Sequence, residues 1–167
     1  MTRDEVQLHL QYSAWAAGML LAAAASLPDG EASKDRGVSH HSIEETLAHC
    51  FQADRVWPSR VTGAPPHGMR MVGEVPHTLA FLQSAWPVVE DGWQRWAASV
   101  DDFAAECSYR NLKGDPFRTP YSQIVMHVVN HASIHAGQVM AMLRQAGAAP
   151  PQVDLIAFYR ERLAAPG

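Results

Sequence analysis

The chain has 167 residues, 47% hydrophobic and 18% charged, which is long enough for one domain with a buried core. Its formal net charge is −4 and its 13 Lys and Arg are scattered, which argues against a nucleic-acid-binding surface. The two cysteines, Cys50 and Cys107, have neither a zinc-knuckle nor a redox spacing and indicate a reducing compartment. We therefore predict a cytoplasmic protein with one domain over residues 1–167.

The first predicted element is a long helix over residues 3–27. It contains the longest apolar run, residues 14–27, which is too short and too rich in alanine to span a membrane. The residues before this run are acidic and polar rather than basic, which argues against a signal peptide. The turn residues at 28–30, Pro-Asp-Gly, are expected to end the helix.

Two further helices are predicted in the middle of the chain. Ser42, with Glu45 three residues later, has the capping-box pattern and is expected to begin a second helix that runs to about Val61. A third helix is predicted over residues 77–100. It contains Pro87, which should kink the helix or mark a break.

The segment before the fourth helix has a different pattern. Residues 106–111 and 116–119, separated by Lys-Gly-Asp, are compatible with a short hairpin. Thr119 as N-cap and Pro120 as first helical residue are predicted to begin the fourth helix, which ends near residues 146–147. With a short last helix after it, these elements predict an all-α, four-helix up-down bundle, and side chains in bundle cores often form metal sites.

The fourth helix carries His127, His131 and His135 at four-residue intervals. Two imidazoles one turn apart can bind one transition metal. With His131 at zero on a helical wheel, the apolar arc is centred at about +70°, so His135 lies inside it, His131 at its edge and His127 outside it. His127 and His135 are also about 12 Å apart along the axis. The metal pair is therefore predicted to be His131 and His135.

A third imidazole is needed from a facing helix. His49 lies in the middle of the second helix among apolar residues, and His9 on the first helix is the weaker candidate. A single histidine on such a face is more often a hydrogen-bonded core residue than a ligand, so that alternative stays open. Solvated imidazoles are expected for the histidines in or beside loops, which are His40, His41, His67 and His77.

Several segments resemble the DinB/YfiT-like family of proposed metalloenzymes, whose superfamily includes bacillithiol transferases and mycothiol-dependent maleylpyruvate isomerase. The resemblance covers nearly the whole chain, and the segments that carry it are 12–15, 42–49 with Ala53, Asp54 and Trp57, 130–131 with 135–138, and 154–160. It implies a helical bundle whose three metal ligands are His49, His131 and His135.

This chain departs from the commonest form of the family block at two positions. Ile134 and Ala136 stand where that form has a histidine and an arginine. The wheel places Ala136 at about +140°, away from the metal face, so we expect ligation to survive. The resemblance implies that the outer contact made by the family arginine is absent in this chain.

A three-histidine site predicts a divalent ion with an exchangeable position, and imidazole suits Zn, Ni, Fe or Mn. Such an ion could activate water for hydrolysis, but no glutamate lies beside the paired histidines to act as base. Transfer of a low-molecular-weight thiol to a small-molecule electrophile needs no such base and is favoured. Gln138 is predicted to face the site as an outer hydrogen-bond donor.

An alternative from a different functional class is a non-catalytic bundle. In that interpretation a metal stabilises the fold and the protein acts as a dimeric binding module. A homodimer is expected in either case, and neither nucleic acid nor membrane is an expected partner.

Overall fold

The computed structural model describes residues 1–38, 40–63, 76–111 and 113–164. Within these ranges it contains five α-helices and one two-stranded antiparallel sheet. In chain order the elements are α1 (Arg3–Ala25), α2 (Ile43–Thr62), α3 (Leu79–Ser99), β1 (Glu106–Arg110), β2 (Pro116–Pro120), α4 (Tyr121–Gln145) and α5 (Leu155–Ala164). The predicted helical bundle with a small hairpin and a short terminal helix is confirmed.

Hydroxyl side chains cap the first three helices. Thr2, Ser42 and Thr78 each accept a hydrogen bond from the backbone amide three residues later, at 3.2, 3.1 and 3.4 Å. Such a bond satisfies one of the amides that a helix start leaves unpaired. The sequence predicted a full capping box at Ser42. The backbone amide of Ser42 instead donates to the His40 carbonyl at 2.6 Å, which ties this helix start to the loop before it.

The predicted start of α4 is wrong in detail. Thr119 is not the N-cap, because it belongs to β2, where it pairs with Cys107. Its hydroxyl lies 3.3 Å from the Tyr109 hydroxyl. Pro120 occupies the N-cap position without a side-chain hydrogen bond, and the Tyr121 amide donates to the Ala105 carbonyl at 3.0 Å. The hairpin therefore leads directly into α4, and a backbone hydrogen bond to the segment just before β1 replaces side-chain capping.

Of the two outcomes expected at Pro87, a kink or a break, the break does not occur, since α3 runs through this residue from Leu79 to Ser99. Proline removes one helical hydrogen bond and leaves the carbonyl four residues earlier without its partner. Here both Pro87 and Gln83 are exposed, so water can satisfy that carbonyl. Buried Leu82, Trp86 and Trp93 hold the inner face of the helix against the bundle.

The bundle is arranged so that α1 and α2 each pack against both α3 and α4, and only slightly against each other. The α2–α4 contact places the middle of α2 beside the histidine-bearing face of α4. Among the described residues, no helix is both long and apolar enough to cross a bilayer. The largest fully buried side chains of the core are Phe51, Ile43, Leu47, Leu82, Ile124, Met142 and Leu143.

Candidate metal centre

Three imidazoles meet where α2 packs against α4. His49 Nε2 lies 3.0 Å from His131 Nε2. The ring centroids are 5.0 Å apart for His49 and His131, 4.7 Å for His49 and His135, and 4.5 Å for His131 and His135. The rings are inclined to one another by 49°, 71° and 67°. The structure thus brings together the three side chains that the sequence singled out.

These ring positions suit a shared ion. With a metal–nitrogen bond of about 2.1 Å, an ion lies about 3.2 Å from the centre of each coordinating ring. If the angle between two metal–nitrogen bonds lies between a right angle and the tetrahedral angle, the centroids of the two rings are roughly 4.5–5.3 Å apart. The three observed separations, from 4.5 to 5.0 Å, lie in that range. The ring centres of His49, His131 and His135 are therefore spaced as for one shared divalent ion, whereas the three ring nitrogens that lie within 4.8 Å of one another belong to His40, His49 and His135.

The protonation of the cluster also suits a metal, because only a neutral imidazole can be a ligand. Burial, together with smaller contributions from the charges of His40 and His135, lowers the pKa of His49 to about 4. Burial likewise lowers the pKa of His131 to about 4, with added effects from the neighbouring imidazoles. Both rings are uncharged at neutral pH.

Gln138 fixes the orientation of the third imidazole. His135, which is buried, donates from Nδ1 to Gln138 Oε1 at 2.7 Å. In this contact Gln138 is an acceptor, whereas the sequence led us to expect a donor. Because Nδ1 carries the proton, the lone pair of His135 is on Nε2, the nitrogen available to the cluster.

We expect Gln138→Ala to lower metal affinity by about 10–100-fold, since outer partners of metal-binding histidines have effects of this size. Gln138→Glu keeps an oxygen acceptor and should retain most of the affinity. Competition with a chromophoric chelator measures both variants. Unchanged affinity in Gln138→Ala would show that this contact does not support ligation.

The remaining predicted positions also have clear locations. His127 is exposed, as the wheel predicted, and its ring packs edge-on to Trp57 at 5.2 Å. His9, the weaker candidate, donates from Nδ1 to the Glu5 carbonyl of its own helix at 2.7 Å. Ile134 is 57% exposed and Ala136 is buried. His67 lies outside the described residues.

His40 is the residue that the sequence argument missed. It was expected to be solvated, but its ring stacks on His49 with centroids 3.9 Å apart and planes 21° apart. It also meets His135 at 5.2 Å and 62°. One ring nitrogen from each of His40, His49 and His135 lies within 4.8 Å of the others. The sequence signal was weak: His40 stands two residues before the N-cap of the helix that carries His49.

Asp54 lies one to two turns beyond His49 on α2, and aspartate side chains are ordinarily exposed. It is instead buried, and its Oδ2 accepts from Trp86 Nε1 at 2.9 Å. Trp93 Nε1 donates to the Asp54 carbonyl at 3.2 Å. Burial raises the pKa of the carboxyl to about 7, against the smaller lowering effect of the Trp86 hydrogen bond.

Comparison with known proteins gives two matches. The family model described as DinB family matches residues 1–164. The chain is also 21% identical over 150 residues to a protein named Protein DinB from Bacillus subtilis (strain 168). That alignment covers 86% of this chain and 87% of the relative. The family match includes both helices that carry the predicted ligands.

Proposed function

The chain belongs to the DinB family, and from this and the imidazole cluster we propose a metal-dependent enzyme that transfers a low-molecular-weight thiol to a small electrophile. The observation that carries the proposal is the convergence of His49, His131 and His135 from α2 and α4. Three neutral nitrogen ligands leave an exchangeable position, as catalytic rather than structural sites do.

A bound divalent ion would supply Lewis acidity, lowering the pKa of a thiol or a water that reaches it. Zinc, nickel, iron and manganese all accept imidazole ligands, so the donor set does not choose among them. His49, His131 and His135 would hold the ion, and Gln138 would keep the His135 ring turned toward it.

In the proposed reaction the protein mainly has to position the thiol and the electrophile next to each other. The thiol loses its proton to solvent, and its sulfur forms a bond to the electrophilic carbon. In a substitution, the leaving group departs with the electron pair of the broken bond. Trp57 and His127, which pack together beside His131, offer one wall against which a small substrate could lie.

Metal-assisted hydrolysis is the second candidate, and one observation favours it. The sequence argument found no carboxylate beside the paired histidines. Glu45 lies one turn before His49 on α2, and its charge partly offsets the lowering of the His40 pKa that burial and the charge of His135 cause. A carboxylate near the cluster could accept a proton from an attacking water.

A non-catalytic, metal-stabilised dimer is the third candidate. Met126 and Ile134 expose large apolar side chains on the outer side of α4, 46% and 57% exposed. Apolar side chains of this kind suit contact with a second copy of the chain. The molecular mass in solution, measured by light scattering, shows whether two chains form a dimer, whichever candidate function applies.

The test compares thiol transfer with ester hydrolysis in the same preparation. Protein loaded with one equivalent of zinc is mixed with a low-molecular-weight thiol and an alkyl halide, and adduct formation is followed against the uncatalysed rate. We expect an acceleration of at least about tenfold, which is small beside the 10⁶-fold or more of efficient enzymes acting on their own substrates. Chelation should abolish it while the helical circular dichroism signal persists.

Three other results would contradict the proposal. Acceleration of nitrophenyl-ester hydrolysis without thiol transfer would support the hydrolase. Unfolding on chelation would support a structural metal. Equal thiol transfer by His131→Ala and by the wild type would show that the reaction does not use this site.

A further inference from the structure

We propose that His40 is a fourth, replaceable ligand of the metal centre, supplied by the loop between α1 and α2. This inference rests on the proposed metal site and adds to it a residue outside the set that the family resemblance implies. It assigns a role to the one imidazole of the cluster that does not come from a helix.

The first argument is the position of the ring. His40 contacts two of the three predicted ligands, stacking on His49 and meeting His135 edge-on. Its nitrogen is within 4.8 Å of theirs. Nitrogens that share a tetrahedral ion with bonds of about 2.1 Å are about 3.4 Å apart, so a small movement brings His40 into coordination.

The second argument is that the loop is built to hold His40 there. The Arg36 amide donates to the His41 carbonyl at 2.7 Å, and the His41 amide donates to the Val38 carbonyl at 2.9 Å. The Ser42 amide donates to the backbone carbonyl of His40 at 2.6 Å. His41 has φ +58°, a left-handed conformation that is unfavourable for a non-glycine residue. These bonds maintain a strained turn directly beside His40.

The third argument explains why the ligand is replaceable. The stacked separation of 3.9 Å between His40 and His49 is shorter than the roughly 4.5–5.3 Å of rings that share an ion. His40 therefore lies beside the fourth position and reaches it by turning its ring. When it does so, four imidazoles close the site, and when it turns back an incoming thiol can enter.

The inference is tested on cobalt-loaded protein without any activity measurement. Cobalt affinity and the visible absorption band are compared for the wild type, His40→Ala and His40→Phe. Phenylalanine keeps a flat ring on His49 but has no nitrogen. His41→Asn is the matched control, because asparagine tolerates the left-handed conformation and leaves His40 in place. Circular dichroism verifies the fold of every variant.

We expect both His40 variants to lose at least about tenfold in cobalt affinity and to show a changed band, while the His41 variant matches the wild type. Millimolar imidazole should restore the wild-type band in His40→Ala by occupying the vacated position. An unchanged band in both His40 variants, or a changed band that imidazole does not restore, would overturn the inference alone. Failure of the wild type to bind cobalt would overturn the proposed metal site as well.

Discussion

Protein purified without an affinity tag is expected to contain about one divalent ion per chain, and His135→Ala is expected to lose most of it. His135 is buried, and Gln138 holds its ring toward the cluster. Its removal takes away one of three nitrogens and leaves a void in the wall of the site. Even outer partners of metal ligands change affinity by about 10–100-fold, so loss of a ligand should exceed about 100-fold.

His127→Ala is the matched control for this experiment. It removes an imidazole from the same helix two turns away, where the side chain is exposed. Metal content measured by inductively coupled plasma mass spectrometry should remain near one per chain in this variant. Equal losses in the two variants would mean that α4 presents a different pair of histidines to the metal.

The second large effect concerns the buried carboxyl of Asp54. We expect Asp54→Asn to remove a pH dependence of stability worth about 2–3 kcal/mol between about pH 5 and about pH 8. Asparagine keeps an oxygen that can accept from Trp86 Nε1, so the hydrogen bond survives. What disappears is the titration of a carboxyl whose pKa rises from 3.8 to about 7 on burial.

The direction of this pH dependence of stability follows from the difference in proton binding between the folded and unfolded states. Between 3.8 and about 7 the folded protein holds the Asp54 proton more tightly than the unfolded chain does. This stabilisation is complete below the unfolded pKa and is lost as the pH rises through the folded pKa. His49 and His131, whose pKa values fall from 6.5 to about 4, act in the opposite direction, because the unfolded chain binds their protons more tightly.

Urea unfolding of the chelated wild type and Asp54→Asn at both pH values separates these effects. The histidine contribution is the same in both proteins and cancels in the comparison. On going from the lower to the higher pH, the wild type should lose stability relative to the variant. Parallel pH profiles for the two proteins would show that Asp54 stays ionised in the folded state.

Local patterns in the sequence were enough to predict most of the fold. The hydroxyl N-cap at Ser42 marks the start of α2, and its last residue lies within one position of the prediction. The failures came where tertiary contacts decide. Thr119 has the residue type of an N-cap, but pairing with Cys107 draws it into the hairpin. At Pro87 the sequence left a kink and a break as alternatives, and the exposed position of this residue is compatible with a continuous α3.

In the site, too, the residues placed by local sequence patterns were predicted and the residue placed by tertiary contacts was missed. His131, His135 and Gln138 lie on one helix, so a helical wheel was enough to place them on a common face. His40 lies on a loop, and its path depends on hydrogen bonds from Arg36 and Ser42 and on a left-handed residue. No periodicity describes such a path. A bundle helix can thus be oriented from sequence, whereas the position of a loop histidine is found only in the folded chain.

A crystal structure of the zinc-loaded protein tests the central claim most directly. The account predicts one ion with His49 Nε2, His131 Nε2 and His135 Nε2 each at about 2.1 Å. An ion bound without His49, or these three nitrogens hydrogen-bonded to one another in saturating zinc, would contradict it.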